Sequence, residues 1–154
     1  IDNYTETTNN GVFACGNVLQ VHDLVDLVTA EAKRAGLNAI EYIEERYGKK
    51  IEKKEYIKCK AGENVNYIKP DLINRDNLSK DVIFTFRVKR PDRRLLIQFK
   101  DDKNKIIYNK KKRYVIPSEM IELKLNLSEY QIDLECKSLE VEVIPRPEVL
   151  FEED

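Results

Sequence analysis

Two hydrophobic periods divide the chain. From Leu24 onward the apolar positions Leu24, Leu27, Val28, Ala32, Ala35, Ala39, Ile40 and Ile43 recur at steps of three and four, which predicts an amphipathic helix with one buried stripe. Asp23 suits its N-cap and Asp26 the positive end of its dipole; Gly36 marks close packing or a break, and Gly48 is a natural stop. Ahead of the helix, Val12, Phe13, Ala14 and Cys15 form a short apolar run between Gly11 and Gly16. A continuous run of this kind predicts a strand covered on both faces, and Gly16 ends it where a backbone without Cβ can turn tightly. Strand, glycine turn and helix would together aim backbone N–H groups at an electron-rich ligand.

From Tyr56 the period changes to two. Residues 56–60 and 65–68 flank Ala61, Gly62, Glu63 and Asn64 and read as a hairpin, followed by a loop over 70–80. Val82, Phe84, Phe86 and Val88 alternate with Ile83, Thr85, Arg87 and Lys89 to give the clearest half-buried strand, and Pro91 with Asp92 turns the chain. Leu95, Ile97 and Phe99 continue the alternation up to a second turn at 101–104. Residues 106–108 and 114–116 read as two strands divided by Lys110, Lys111, Lys112 and Arg113; Ile121, Leu123, Leu125 and Leu127 alternate with charges, as do Leu139, Val141 and Val143. Residues 128–136 are the one ambiguous helical segment, and 145–154 form an acidic tail in which Val149, Leu150 and Phe151 make an apolar patch. About seven short strands with regular turn signals predict an antiparallel β-sandwich of immunoglobulin-like or fibronectin-like shape. The charged stretch 49–55 is the best boundary, so the chain divides into 1–50, strand and helix, and 51–154, the sandwich, in an α+β protein.

Composition narrows the classes. Charged residues make up 36% and hydrophobic ones 42%, with a net charge of -1, so neither disorder nor a polyanionic partner such as nucleic acid is implied. No apolar run reaches a membrane span of roughly 18 residues. Cys15, Cys59 and Cys136 are odd in number and free of any Cys-x-x-Cys, which favours reduced thiols and a cytoplasmic setting. His22 stands alone, a poor basis for a metal site, and reads as a loop or capping residue beside Asp23. Cys15 reads as a small hydrophobe rather than a nucleophile. The run 110–113 reads as a solvated edge strand guarded by charge.

The segment Thr7, Gly11, Val12, Phe13, Ala14, Gly16 and Asn17 resembles the C-terminal flavin-binding motif of the thioredoxin-reductase-like pyridine nucleotide-disulfide oxidoreductases, with Asn17 where that family has Asp. Val28, Thr29, Ala30, Glu31 and Ala32 look like the small-residue helix that packs beneath the isoalloxazine ring there, and residues 16–26 look like a subgroup associated with glycerol-3-phosphate dehydrogenase-like flavoproteins. The resemblance covers residues 7–48. It implies FAD as cofactor in a full-length parent, with Gly16, Asn17, Asp26 and Leu27 at the ribityl and isoalloxazine end of its site. Neither glycine-rich dinucleotide fingerprint is present, so the expectation is a C-terminal fragment of an FAD-dependent NAD(P)H oxidoreductase, inactive alone, partnered by the rest of the flavoprotein. The alternative is a non-catalytic sandwich that docks partner subunits of a redox complex. Without a flavin-domain floor, the helix stripe is expected to pack on the sandwich or on a second copy of the chain, giving a homo-oligomer.

Overall fold

The computed structural model describes residues 1–45, 54–75, 78, 80–130, 132–133 and 135–147. Helix α1 (Val25–Glu45) is followed by eight strands: β1 (Tyr56–Ala61), β2 (Val65–Lys69), β3 (Leu72–Asn74), β4 (Asp81–Val88), β5 (Asp92–Asp101), β6 (Ile106–Val115), β7 (Ile121–Asn126) and β8 (Ser138–Pro145). The class is mixed α+β. The strands form a five-stranded sheet ordered β3-β1-β8-β5-β6 and a three-stranded sheet ordered β2-β4-β7. Their pairings are antiparallel except for β1 and β8, which run parallel.

Alternation places the core. In β4, Val82, Phe84, Phe86 and Val88 are buried; from the other sheet Leu95, Ile97 and Phe99 of β5 and Leu139, Val141 and Val143 of β8 meet them. The rings of Phe84 and Phe99 lie 4.9 Å apart between centroids and tie the two layers together. From Phe99 an edge-to-face series continues through Tyr108 to Tyr130, an arrangement that suits the quadrupoles of aromatic rings. The basic residues of β6 sit on the outermost strand of the larger sheet, as an edge protected by charge should be.

Several expectations are corrected. Residues 56–60 and 65–68 do not form a hairpin: β1 pairs with β3 and β8, and β2 with β4, so the turn at 61–64 carries the chain from one sheet to the other. Gly62 is needed there, because a Cβ would stand 2.7 Å from Glu140 Oε1 and 2.8 Å from Glu142 Cγ. The loop expected over 70–80 contains β3. Residues 106–115 form one continuous strand rather than two, since the lysine stretch pairs with Leu95, Leu96 and Ile97. In the ambiguous segment 128–136, only a short 3-10 turn, Leu127–Glu129, forms among the described residues. The boundary at 49–53 and the tail from 148 lie outside the described residues.

The strand expected at 12–15 is absent as well. Only Phe13 pairs, in an isolated antiparallel bridge with Glu6, and Val12 is 51% exposed. Among the described residues no second strand pairs with its other edge, so nothing there rewards a fully extended conformation. Instead, residues 6–13 fold into a tight reversal closed by Thr7 N–H to Val12 O and Val12 N–H to Asn9 O, with Gly11 at φ +75 against the Tyr42 ring.

Residues 1–20 are joined to the two-sheet body. Asp2 bridges Leu72 in parallel, Asn74 N–H donates to Asn3 Oδ1 at 2.8 Å, and Lys54 Nζ pairs with Glu6 Oε2 at 2.6 Å. Truncating Phe99 to Ala should lower stability by about 3–5 kcal/mol in urea denaturation. Val12→Ala should change it by no more than about 0.5 kcal/mol, whereas a strand buried on both faces at 12–15 would make it a core mutation.

Candidate functional site

Glu31 organises the region that the sequence singles out. It lies on α1 among small residues, yet its side chain is only 3% exposed. Oε1 accepts from Gly16 N–H at 2.6 Å and lies 3.1 Å from His22 Nε2; Oε2 accepts from Gln20 Nε2 at 3.0 Å. All three partners come from the loop between residues 16 and 22. Gly16 permits the loop's conformation: it adopts φ +71 at the start of a 3-10 turn, Gly16–Val18, whose next residues return N–H groups from Leu19 and Gln20 to Gly16 O.

The network extends into the β-structure. Thr85 Oγ1 on β4 donates to Gln20 Oε1 at 2.9 Å, which explains a polar residue buried on a core strand. Asp23 was expected to cap α1; its carboxylate instead accepts from the Arg87 guanidinium and from Met120 N–H. Arg87 holds that carboxyl below the ordinary Asp range, helped by the Met120 hydrogen bond. Farther along α1, Asn38 Nδ2 donates to Tyr4 O, Glu41 pairs with Lys80, and Tyr42 meets Phe13 edge-on.

These anchors set the rotation of the helix. At 100° per residue, Glu31, Ala35, Asn38 and Tyr42 share one side, and the wholly buried members of α1 are Glu31 and Ala35. Thus the expected stripe is only half inside. Leu27, Val28 and Ala39 are half-buried, whereas Leu24, Ile40 and Ile43 stand in solvent with Val25 and Leu37. Gly36 neither breaks the helix nor meets a close neighbour, since a Cβ there would find open space. The helix rests on residues 1–20 rather than directly on the sheets.

The four residues expected at a flavin are placed as follows. Gly16 is buried and its N–H is engaged by Glu31. Asn17 is exposed in the 3-10 turn; Asp26, exposed, and Leu27, half-buried, lie in the first turn of α1. The helix starts at Val25, so its N-terminus does not follow the glycine turn directly, and its free N–H groups are displaced along the chain from Gly16. This arrangement does not fit a flavin at Gly16. The adjacent cavity, lined by Asp2, Thr5, Gln20, Glu31, Arg34 and Thr85, has a volume of about 60 Å³, room for a few waters but well short of a cofactor pocket.

Two polar atoms on that cavity, Asp2 Oδ2 and Thr5 Oγ1, are buried without a hydrogen-bond partner. Burial pushes the Asp2 carboxyl up, against the pull of the Tyr4 and Glu6 N–H groups on Oδ1, and Glu6 adds to the rise. Cys15 is half-buried and the three thiols are free; burial raises Cys59 and Cys136, so neither is a ready nucleophile. Among the described residues no group of His, Cys, Asp and Glu could hold a metal ion, and no helix is long and apolar enough to cross a membrane.

Replacing Glu31 with Ala strands three donors in a buried site. It should lower stability by about 3 kcal/mol and raise hydrogen exchange at the Gly16 amide before global unfolding. A folded Asp2 carboxyl raised above its unfolded value binds its proton more tightly when folded. Its contribution is therefore complete below the ordinary Asp range and is lost as pH rises through the raised value. Urea midpoints across acidic pH should show that decline in the native chain and not in Asp2→Asn. Asp23 acts oppositely: its contribution is present above the ordinary Asp range and lost as pH falls through its lowered value. Comparison with protein-family models, with curated proteins and with solved structures returned no match.

Proposed function

We propose that this chain is a non-catalytic interaction module that docks a partner subunit of a flavin-dependent redox assembly through the outward face of α1. The observation that carries the reading is the inverted burial of that helix. Its inner side holds a charged residue, Glu31, while Val25, Leu37, Ile40 and Ile43 are 75%, 58%, 53% and 62% exposed. Val25, Thr29, Ala32, Gly36, Ile40 and Ile43 fall within about 80° of one another on the helix, and the small residues in the middle allow a partner backbone to approach closely. Covering each large apolar side chain would contribute on the order of 1 kcal/mol, and contiguous apolar surface of this kind marks interaction sites. The redox context comes from the flavoprotein-like motif at residues 7–17. The two-sheet body behind the helix is read as an immunoglobulin- or fibronectin-like sandwich, supported by its single core between facing sheets.

A second reading rests on the same motif: residues 7–48 complete the FAD site of a larger NAD(P)H oxidoreductase, with Gly16, Asn17, Asp26 and Leu27 toward the flavin. It requires Glu31 to release the Gly16 N–H, a rearrangement that a partner covering α1 would have to drive.

The module reading expects the chain, incubated with FAD and passed through a desalting column, to retain no flavin and to oxidise no NADH. Ile40→Asp should leave the urea midpoint within about 0.5 kcal/mol of the native value while reducing binding of a hydrophobic dye. Stoichiometric flavin with NADH turnover would replace the module by the second reading; strong destabilisation by Ile40→Asp would show that this face packs within the chain.

A further inference from the structure

We infer that the outer edge of β6 takes up an acidic, extended peptide of a partner protein as a further strand of the larger sheet. The first observation concerns its backbone. β6 is the outermost strand, paired with β5 on one side and, among the described residues, with no strand on the other. In an antiparallel ladder successive residues turn their N–H and C=O groups to opposite edges, so about half of the ten residues of β6 present theirs outward. The second observation concerns charge. Lys110, Lys111, Lys112 and Arg113 are consecutive, and Arg93 lies opposite the next residue, Tyr114. None of these five cations forms an ion pair with a described residue, whereas Arg87, Arg90, Lys100 and Lys124 each meet a carboxylate, from Asp23, Glu63, Glu142 and Asp81 respectively.

Register decides what such a strand must look like. Lys110 and Lys112 lie opposite Ile97 and Leu95, whose side chains enter the core, and Lys111 lies opposite Leu96. Residues paired across a ladder share a face, so Lys110 and Lys112 stand on the inner side of the sheet and Lys111 and Arg113 on the outer. An added strand with acids at consecutive positions therefore meets a cation on each face. Ile106 and Tyr114, 48% and 53% exposed, stand at the two ends of β6 and offer apolar contact to residues flanking the acids. The nearest acid on β5, Asp92, lies opposite Val115, beyond the basic run, and its Oδ1 accepts from Arg93 N–H. A second copy of this edge does not suit the surface, because like charges would face each other across the new pair. An oligonucleotide offers no ladder of N–H and C=O groups to match the backbone. The charge that guards the edge against its own kind thus selects a partner of opposite sign; main-chain hydrogen bonds supply affinity and side chains the choice of sequence.

The test titrates a fluorescein-labelled peptide, a run of glutamates flanked by valines, with the full chain and follows anisotropy. Binding should saturate, weaken severalfold with rising salt, and fall about tenfold when Lys111→Glu and Arg113→Glu are combined. Both side chains are exposed, and an unchanged urea midpoint checks that the variant is folded. In the native complex, hydrogen exchange should slow at alternate amides of β6. The same peptide N-methylated along its glutamate run keeps the charge but lacks the donors, so it should bind the native chain about tenfold more weakly, a comparison that needs no variant. Absence of binding, equal binding of the N-methylated peptide, or unchanged exchange along β6 overturns the proposal. So does an oligodeoxythymidylate that binds more tightly than the peptide and displaces it, since the edge would then be a polyanion site.

Discussion

The hydrogen-bonded carboxylate of Glu31 is the constraint on which the N-terminal third depends. A carboxylate removed from water loses several kcal/mol of hydration unless it is well partnered, and here Gly16 N–H, Gln20 Nε2 and His22 Nε2 converge on its two oxygens. Hydrogen bonds to an ionised acceptor are among the stronger ones. Meeting them fixes which side of α1 turns inward. It also fixes the path of residues 16–22, because one segment supplies all three donors, and through Gln20 it reaches Thr85 on β4. The apolar stripe is left to take what orientation remains. Its outward half is a consequence of satisfying the charge, and the case for a partner on α1 follows from that priority.

The same priority explains how much was legible in advance. Alternation in 82–88, 95–99, 121–127 and 139–143 assigns four strands and their inward faces correctly, because one side of each meets a dry core and the side-chain period of two leaves no other register. Pairing was not legible. The turn at 61–64 signals that the chain reverses, but not that β1 and β2 part into different sheets, and the close approach of Gly62 to Glu140 and Glu142 links residues far apart in sequence. The lysines at 110–112 looked like an interruption of β6, although their alkyl stems are compatible with a strand that pairs on one edge only. At the candidate site, Gly16 was correctly singled out as a turn residue, while its partner was missed. Periodicity counts apolar positions and gives no weight to one acid among alanines. The available signal was Glu31 itself, a charge at a position the helical pattern places close to the inner face.

The pairing of β1 with β8 has a consequence for how the protein is made. These strands are parallel neighbours at the centre of the larger sheet, yet they stand at opposite ends of the strand order in sequence. β1 therefore emerges from a ribosome long before the strand that will lie against it, and so does β5, whose free edge is also filled by β8. Local pairs such as β5–β6 can close early, but the central gap closes only when the last strand has been synthesised. Contacts of such long range slow folding, and two strand edges with unpaired backbone N–H and C=O groups remain open in the interval. Lys58 and Lys60 of β1 and Lys100 of β5 put charge on the strands that border the gap, a feature that disfavours intermolecular pairing while it stands open.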